Sequence, residues 1–363
     1  MKHCKEARAV KSIVLTGGGT AGHVNPNIAL IPGLQKEGWD IRYIGSHDGI
    51  EKKLIQEVGI PYYGISSGKL RRYVDMKNIT DPFKVLKGLF DAFALLKKLK
   101  PKLVFSKGGY VSVPVVIAAK TLGIPVIIHE SDITPGLANK LAMPFAKTIC
   151  VNFPETLEFV KGKGVLTGTP IREALFHGNQ EEGKKLCGFT GDKPVIMMMG
   201  GSLGAVRINT MIRKIAHDLL QDFNIIHICG KGNKDESFSN TSGYQQFEYV
   251  GDELPHLFSI TSLMISRAGA NAIAEIRALE IPGLLIPLSL EASRVDQILN
   301  AQSMEKQGFY MVLEESKMSE TSLTQAVKRL YNERAQYIAN MQKVQTQSGV
   351  ELILQEIHKY NLK

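Results

Sequence analysis

Two stretches of this chain, IVLTGGGTAGHVNPNIAL (Ile13–Leu30) and PVIMMMGGSLGAVRINTMI (Pro194–Ile212), repeat one device: an apolar run breaks into small residues and then continues at helical spacing. A buried strand that ends in a glycine turn and feeds a helix opens a parallel sheet with helices on both faces. Behind the first copy follow IRYIG, LVFSKGG, PVIIHE and TICVN, and behind the second FNIIHICGKG, QFEYVG, LMISRAG and GLLIPL, each separated by longer segments of helical period. The 363 residues therefore read as two doubly wound α/β domains, each large enough to bury its own core. Small residues and Pro170 in KGKGVLTGTPIRE mark the boundary, giving domains of 1–168 and 169–344, with a closing helix over about 345–363 expected to pack back on the first.

A short strand-to-helix turn leaves the first helical N–H groups unpaired and adds the positive end of the helix dipole, so both glycine turns suit an anion. Gly17, Gly19 and Gly22 satisfy GxGxxG, which raises a nicotinamide-dependent oxidoreductase as a rival. That fingerprint expects an acidic residue ending the second strand, whereas IRYIGSHDG ends in Gly45 and Ser46, and Asp48 arrives in the following loop. Glycines that serve only close helix–strand packing are the plainer alternative.

His23 falls in the first helical turn, where it reads either as a buried neutral imidazole or as a general base for a substrate hydroxyl. FSKGGYVSVP (Phe105–Pro114) supplies a second cradle for a diphosphate, with Lys107, Gly108, Gly109 and the hydroxyl of Ser112. PVIIHESDITPGLANK places His129, Glu130 and Asp132 at another strand end on the same edge, where open α/β sheets bind ligands. A metal site there is a minor alternative, and no DxD triplet occurs.

The net charge of +9 fits a polyanionic partner: nucleic acid, an anionic membrane or a phosphorylated small molecule. No nucleic-acid motif or aromatic-interleaved basic strip accompanies it, so nucleic acid is not expected. Cys4, Cys150, Cys187 and Cys229 are widely spaced, which points to a reducing compartment, and MKHCKEARAVKS lacks the apolar core of a signal peptide. No apolar run approaches the ~18 residues that span a bilayer, so membrane contact would be peripheral. The segment Gly68–Lys100 offers a surface for it: Lys69, Arg71, Arg72, Lys84, Lys87, Lys97, Lys98 and Lys100 surround Phe83, Leu86, Phe90 and Phe93, which share one side of a helix. A core-facing helix with a solvated rim is the competing reading.

Taken in order and at these intervals, GGGTAGHVNP, SKGGYVSVP, HESDITPGLANK, GTPIRE, MGGSLGA and SRAGANAIAEI resemble the MurG glycosyltransferases of peptidoglycan synthesis, from Ile13 to about Gly308. The resemblance implies a GT-B fold, two Rossmann-like domains facing across a cleft. It also implies transfer of N-acetylglucosamine from UDP-N-acetylglucosamine to the 4-hydroxyl of the N-acetylmuramyl sugar of undecaprenyl-linked lipid I, giving lipid II. The reaction would be inverting, with neither metal nor cofactor, at the cytoplasmic face of the membrane. Cell-wall and cell-division proteins would be its protein partners.

By the same likeness Ser202 meets the donor diphosphate, Ala270 and Asn271 begin the helix at ribose and phosphate, and Glu275 accepts from the ribose hydroxyls. Arg172, Arg267 and Gln297 fall at nucleotide or sugar contacts, with surface ion pairs as the alternative for the arginines, and Val250 falls at a backbone contact to uracil. Thr20, Ala21 and Gly22 close on the donor sugar, and Gly18 and Gly19 join the acceptor diphosphate cradle. His23 is the expected base, with Asp132 and Glu130 as alternates. Some members carry Asn where Asp132 stands, and a glutamine pair where this chain has Asp296 and Gln297. A UDP-N-acetylglucosamine 2-epimerase of the same fold is the nearest enzymatic rival.

Overall fold

The computed structural model describes residues 11–68, 81–200, 206–289, 295–344 and 348–360, the side chains of 81–83 excepted. Two compact units emerge, Met1–Arg172 with Gln347–Lys363, and Glu173–Thr346.

The first unit runs β1 (Ser12–Thr16), α1 (Asn25–Lys36), β2 (Asp40–Ser46), α2 (Ile50–Glu57), β3 (Tyr62–Ile65), α3 (Asp81–Leu99) and β4 (Leu103–Ser106). It continues through α4 (Ser112–Thr121), β5 (Val126–Glu130), α5 (Leu137–Ala142), β6 (Thr148–Val151) and β7 (Gly164–Leu166). The strands form a parallel sheet in the order β3-β2-β1-β4-β5-β6-β7. Its central strands read as continuous apolar runs because both faces are covered. Ile13 and Leu15 of β1, with Leu103 and Phe105 of β4, pack against Leu30 and Leu34 of α1. Val14 and Val104 point the other way, onto Ala92 and Leu96 of α3 and Val115 and Ala118 of α4.

The second unit repeats the plan in α6 (Gln180–Cys187), β8 (Val195–Met199), α7 (Val206–Asp222), β9 (Asn224–Ile228), β10 (Tyr244–Phe247), α8 (Leu254–Ser259) and β11 (Thr261–Ser266). It ends with α9 (Ala270–Ala278), β12 (Gly283–Leu285), α10 (Asp296–Lys306), β13 (Met311–Val312) and α11 (Glu320–Lys343). The order β10-β9-β8-β11-β12-β13 is again parallel. Ile208, Ile212, Ile215 and Leu219 recur at helical spacing on α7 and meet Leu323, Val327 and Leu330 of α11 across the strand residues Ile196, Met198, Ile225 and Ile265.

The last helix, α12 (Gly349–His358), returns to the first unit. Its Ile353 and Ile357 are fully buried with Leu30 and Leu34, which is worth about 1.5–3 kcal/mol for each side chain. Gly33 in α1 makes room for it, since a β-carbon there would stand 2.5 Å from Leu354 Cδ1. Polar pins hold the helix at its end: Thr148 and Tyr360 share a hydrogen bond of 2.8 Å, and His358 meets Glu37 at 2.6 Å.

Candidate active site

In each sheet the strand order reverses beside the first strand, between β1 and β4 in one unit and between β8 and β11 in the other. The carboxyl edge at such a reversal is where open α/β sheets take ligands.

At the β1/β4 edge two glycine loops meet main chain to main chain. Lys107 N–H donates to Thr16 O at 2.9 Å, and Gly19, Gly108 and Gly109 have φ of +88°, +93° and +86°. Buried Asn27 donates to Thr16 O (3.2 Å) and to the Tyr43 hydroxyl (3.1 Å), and that hydroxyl donates to Gly17 O (2.9 Å), so the turn hangs on a side-chain scaffold. The chain then makes a 3-10 turn over Ala21–His23, with His23 N–H on Thr20 O at 3.0 Å and Thr20 Oγ1 3.1 Å from His23 Nδ1. Thr20 is exposed, and Ala21, Gly22 and His23 are half-buried. Burial, and next the positive charge of Lys107, push the His23 pKa down to about 4, against the opposing pull of the Gly18 main chain and Glu51. The imidazole is neutral near pH 7, with Nδ1 beside the Thr20 hydroxyl and a hydrogen bond to the Gly18 main chain.

The end of β5 adds a buried polar cluster. Lys107 is 2% exposed, donates to Ser131 Oγ, and has its pKa drawn down to about 8 by burial, with Glu130 and Asp132 holding it up. Glu130 organises a loop. Its carboxylate accepts from Asp132 N–H (3.0 Å), Gly136 N–H (3.0 Å) and Asn139 Nδ2 (2.8 Å), which shapes the loop that presents half-buried Asp132. Burial, then Asp132, raises the Glu130 pKa. His129 is fully buried and bonded to Gly168 O at 2.9 Å, and burial drives its pKa well down. Among the described residues no group of three His, Cys, Asp or Glu side chains is arranged to hold a metal ion.

Two members of the expected diphosphate cradle are otherwise engaged. Ser112 is fully buried and donates its hydroxyl to Gly109 O at 2.8 Å, closing the turn before α4. Gly19 N–H donates to the carboxylate of Glu51 at 3.1 Å, so the anion this amide serves is part of the chain. Gly18 and Gly108 are buried, and Gly109 is half-buried beside them.

In the second unit Ser202 lies outside the described residues, between the end of β8 and the exposed Val206 that starts α7. Gly269 precedes α9, whose first turns carry Ala270, which is buried, and Asn271 and Glu275, four residues apart and half-buried. Asn300 Nδ2 donates to Ala268 O at 3.2 Å and ties α10 to this turn. Gln297 Oε1 accepts from Leu288 N–H at 3.1 Å, which fixes the amide and leaves its NH2 to donate. Val250 is half-buried just after β10. Arg267 is 8% exposed, donates to Ile286 O and is paired with Glu315 at 2.6 Å. Arg172 is half-buried, and its Nε is buried with no hydrogen-bond partner among the described residues.

On α3, Leu86 and Phe90 are 52% and 66% exposed, beside exposed Lys84 and Lys87. Phe93 departs from that side and packs with Leu89 and Leu95 against the core. Lys69, Arg71, Arg72 and the Phe83 side chain lie outside the described residues.

Sequence reasoning passed over Glu51 and Glu315. Both are acidic residues at ordinary helix-start positions, and only the company of several glycines in the first case, or of an arginine at a strand end in the second, signals more.

Residues 13–151 match the glycosyltransferase family 28 N-terminal domain, and residues 195–357 match the glycosyltransferase family 28 C-terminal domain. The chain belongs to glycosyltransferase family 28. Within that family it is 59% identical to a UDP-N-acetylglucosamine–N-acetylmuramyl-(pentapeptide) pyrophosphoryl-undecaprenol N-acetylglucosamine transferase of Lachnospira eligens, over 95% of this chain and 98% of that one. It overlays the crystal structure of Acinetobacter baumannii MurG with a TM-score of 0.74 and 28% identity, covering 96% of this chain and 99% of the other. These relationships place it among the MurG transferases and its two units in the GT-B fold. The UDP-N-acetylglucosamine 2-epimerase of Neisseria meningitidis aligns with a TM-score of 0.68 at 14% identity, over 96% of this chain and 100% of that one, a likeness of fold alone.

Proposed function

We propose that this family 28 enzyme transfers N-acetylglucosamine from UDP-N-acetylglucosamine to the 4-hydroxyl of the N-acetylmuramyl sugar on an undecaprenyl diphosphate carrier, forming lipid II from lipid I. The observation that carries the chemistry is the neutral, half-buried His23 at the β1/β4 edge, next to a buried cation and the loop that presents Asp132. His23 takes the proton from the acceptor hydroxyl as that oxygen attacks the anomeric carbon, help worth about 10²–10⁴ in rate. Attack from the face opposite the leaving group inverts the anomeric centre. Asp132 is the alternate acceptor of that proton.

The donor belongs to the second unit. Ser202 and the first N–H groups of α7 meet the leaving diphosphate, because helix N-terminal N–H dipoles stabilise charge that develops there without having to reorganise. Glu275 accepts from the ribose hydroxyls, Asn271 lies one turn earlier on the same face, and the Gln297 NH2 donates to the sugar.

The acceptor's lipid tail calls for a bilayer, and no described helix is long and apolar enough to cross one. Leu86 and Phe90 with Lys84 and Lys87 form the surface that meets anionic lipid at the cytoplasmic face, each basic residue adding about 1 kcal/mol.

Incubation with labelled UDP-N-acetylglucosamine and a lipid I analogue tests the reading. UDP and lipid-linked label should appear in equal amounts. UDP release with free N-acetylmannosamine and no labelled lipid would make the enzyme an epimerase instead.

A further inference from the structure

Glu51 sits in the first turn of α2, is fully buried, and has no Lys or Arg paired with it among the described residues. Its carboxylate is held by N–H and O–H donors alone: Oε2 accepts from Gly19 N–H (3.1 Å), and Oε1 accepts from Ser46 N–H (3.0 Å) and Ser46 Oγ (2.5 Å). Carboxylates buried without a cation are costly, so such a group persists only where its hydrogen bonds organise something.

The surrounding glycines make the same point sterically. A β-carbon on Gly18 would stand 2.6 Å from Glu51 Cδ, one on Gly49 2.2 Å from Oε1, and one on Gly45 2.9 Å from Cγ. Gly18 belongs to the loop after β1, Gly45 to β2 and Gly49 to the turn before α2, so three separate segments are hollowed around one side chain.

What this carboxylate organises is the approach to His23. Gly19, at φ +88°, passes the chain to Thr20, whose carbonyl accepts from His23 N–H (3.0 Å) and whose hydroxyl lies 3.1 Å from His23 Nδ1. We infer that Glu51 is a positioning residue for sugar transfer: its bond to Gly19 sets the Thr20–His23 turn, and with it the imidazole, against the acceptor hydroxyl. The negative charge contributes as well. Lys107 and Glu51 are the charged groups acting on His23, with opposite signs, and Glu51 favours the imidazolium that forms when His23 takes the proton.

This inference rests on His23 being the base, and the test separates the two. Glu51→Gln keeps the shape but turns an NH2 toward one of the donors the carboxylate served. Gly49→Ala keeps the charge: its backbone (φ −80°, ψ 161°) suits alanine, so what must move is the carboxylate, away from Gly19. Both variants should lower kcat by about 10²-fold, as an ångström's misplacement of a reacting group does. Donor KM and UDP affinity by calorimetry should stay within about twofold, since both substitutions lie outside the donor unit. In Glu51→Gln the acid limb of kcat/KM should move to lower pH, because the group that raises the His23 pKa has lost its charge; Gly49→Ala should move it less. Added to His23→Ala, Glu51→Gln should slow transfer no further. Wild-type kcat in Gly49→Ala, or an additive loss in the double variant, would overturn the Glu51 role while leaving His23 as base. Wild-type rates in His23→Ala would instead remove the base assignment itself. Should Glu51→Gln fail to fold, Gly49→Ala alone decides.

Discussion

Gly109 faces the carbonyl of Gly18 so closely that a β-carbon on it would stand 2.2 Å from that oxygen. The loops that end β1 and β4 thus pack backbone on backbone, and the φ of +86° at Gly109 adds a second reason for glycine. Gly109→Ala should therefore separate the loops and carry about 1–2 kcal/mol of left-handed strain besides. Thermal unfolding should fall by several degrees, and kcat should fall further than the stability loss accounts for, in a transfer assay run well below the melting temperature.

His23→Ala should lower kcat by about 10²–10⁴ and leave UDP affinity nearly unchanged, because the imidazole serves the proton and not the nucleotide. Its pKa of about 4 fixes the pH dependence. With the folded value depressed, the basic form persists as pH falls past 6.5 and is lost only near 4. The acid limb of kcat/KM in the free enzyme should lie there, and an acid limb that persists unchanged in His23→Ala would exclude His23.

The fold was legible because Ile13–Thr16 and Val195–Met199 are short apolar runs ending in glycines, and burial on both faces of a parallel sheet asks for little else. The candidate site is legible as motifs. His23, Asp132, Glu275 and Gln297 stand in motifs whose spacing survives without a structure. Glu130 was not legible as a loop organiser, since its three bonds reach Asp132, Gly136 and Asn139, up to nine residues on. Glu315 lies 48 residues from Arg267 and meets it only through the packing of the second sheet. Leu86, Phe90 and Phe93 share a helix side by spacing, but the sheet covers only Phe93, a distinction set by tertiary contact.

His227 is fully buried between Tyr244 OH (2.6 Å) and Asn209 Oδ1 (3.0 Å), and burial, then Arg213, lowers its pKa to about 3. Its folded pKa lies below the unfolded value, so the unfolded chain binds the extra proton between pH 6.5 and 3. Stability is intact above 6.5 and drains away as pH falls through that window, by a few kcal/mol at about 1.4 kcal/mol per pH unit. Denaturant unfolding at pH 7, 6, 5 and 4 should show a progressive fall. His227→Gln should flatten it from a lower starting point.

The Arg267–Glu315 pair is nearly solvent-free, and Glu315 Oε2 also accepts from Ser289 N–H at 3.4 Å. Glu315→Gln leaves a buried guanidinium without its charge partner, which costs about 3–5 kcal/mol. Replacing both residues by apolar ones of similar volume should cost less than either single change. Differential unfolding of the single and double variants measures the contrast, and a double-variant loss equal to the sum of the single losses would show that the charges are not coupled.

Leu86 and Phe90 should be separable from Phe93 by a pair of opposite outcomes. The first two are largely exposed, so Leu86→Glu and Phe90→Glu remove no core contact and should leave thermal unfolding within about half a kcal/mol, the usual range for surface changes. They place a charge where an apolar side chain would enter the bilayer interface, so sedimentation with anionic vesicles should fall several-fold, and activity on lipid-linked acceptor should fall with it. Activity on a water-soluble acceptor analogue should not change, because the β1/β4 edge is untouched. Phe93→Ala empties part of the cluster formed with Leu96, Val104 and Val115, and should cost about 3 kcal/mol or somewhat less for a partly buried ring. Its vesicle binding should stay intact at temperatures where it is folded. Vesicle binding that survives both glutamate substitutions would move the membrane contact off α3.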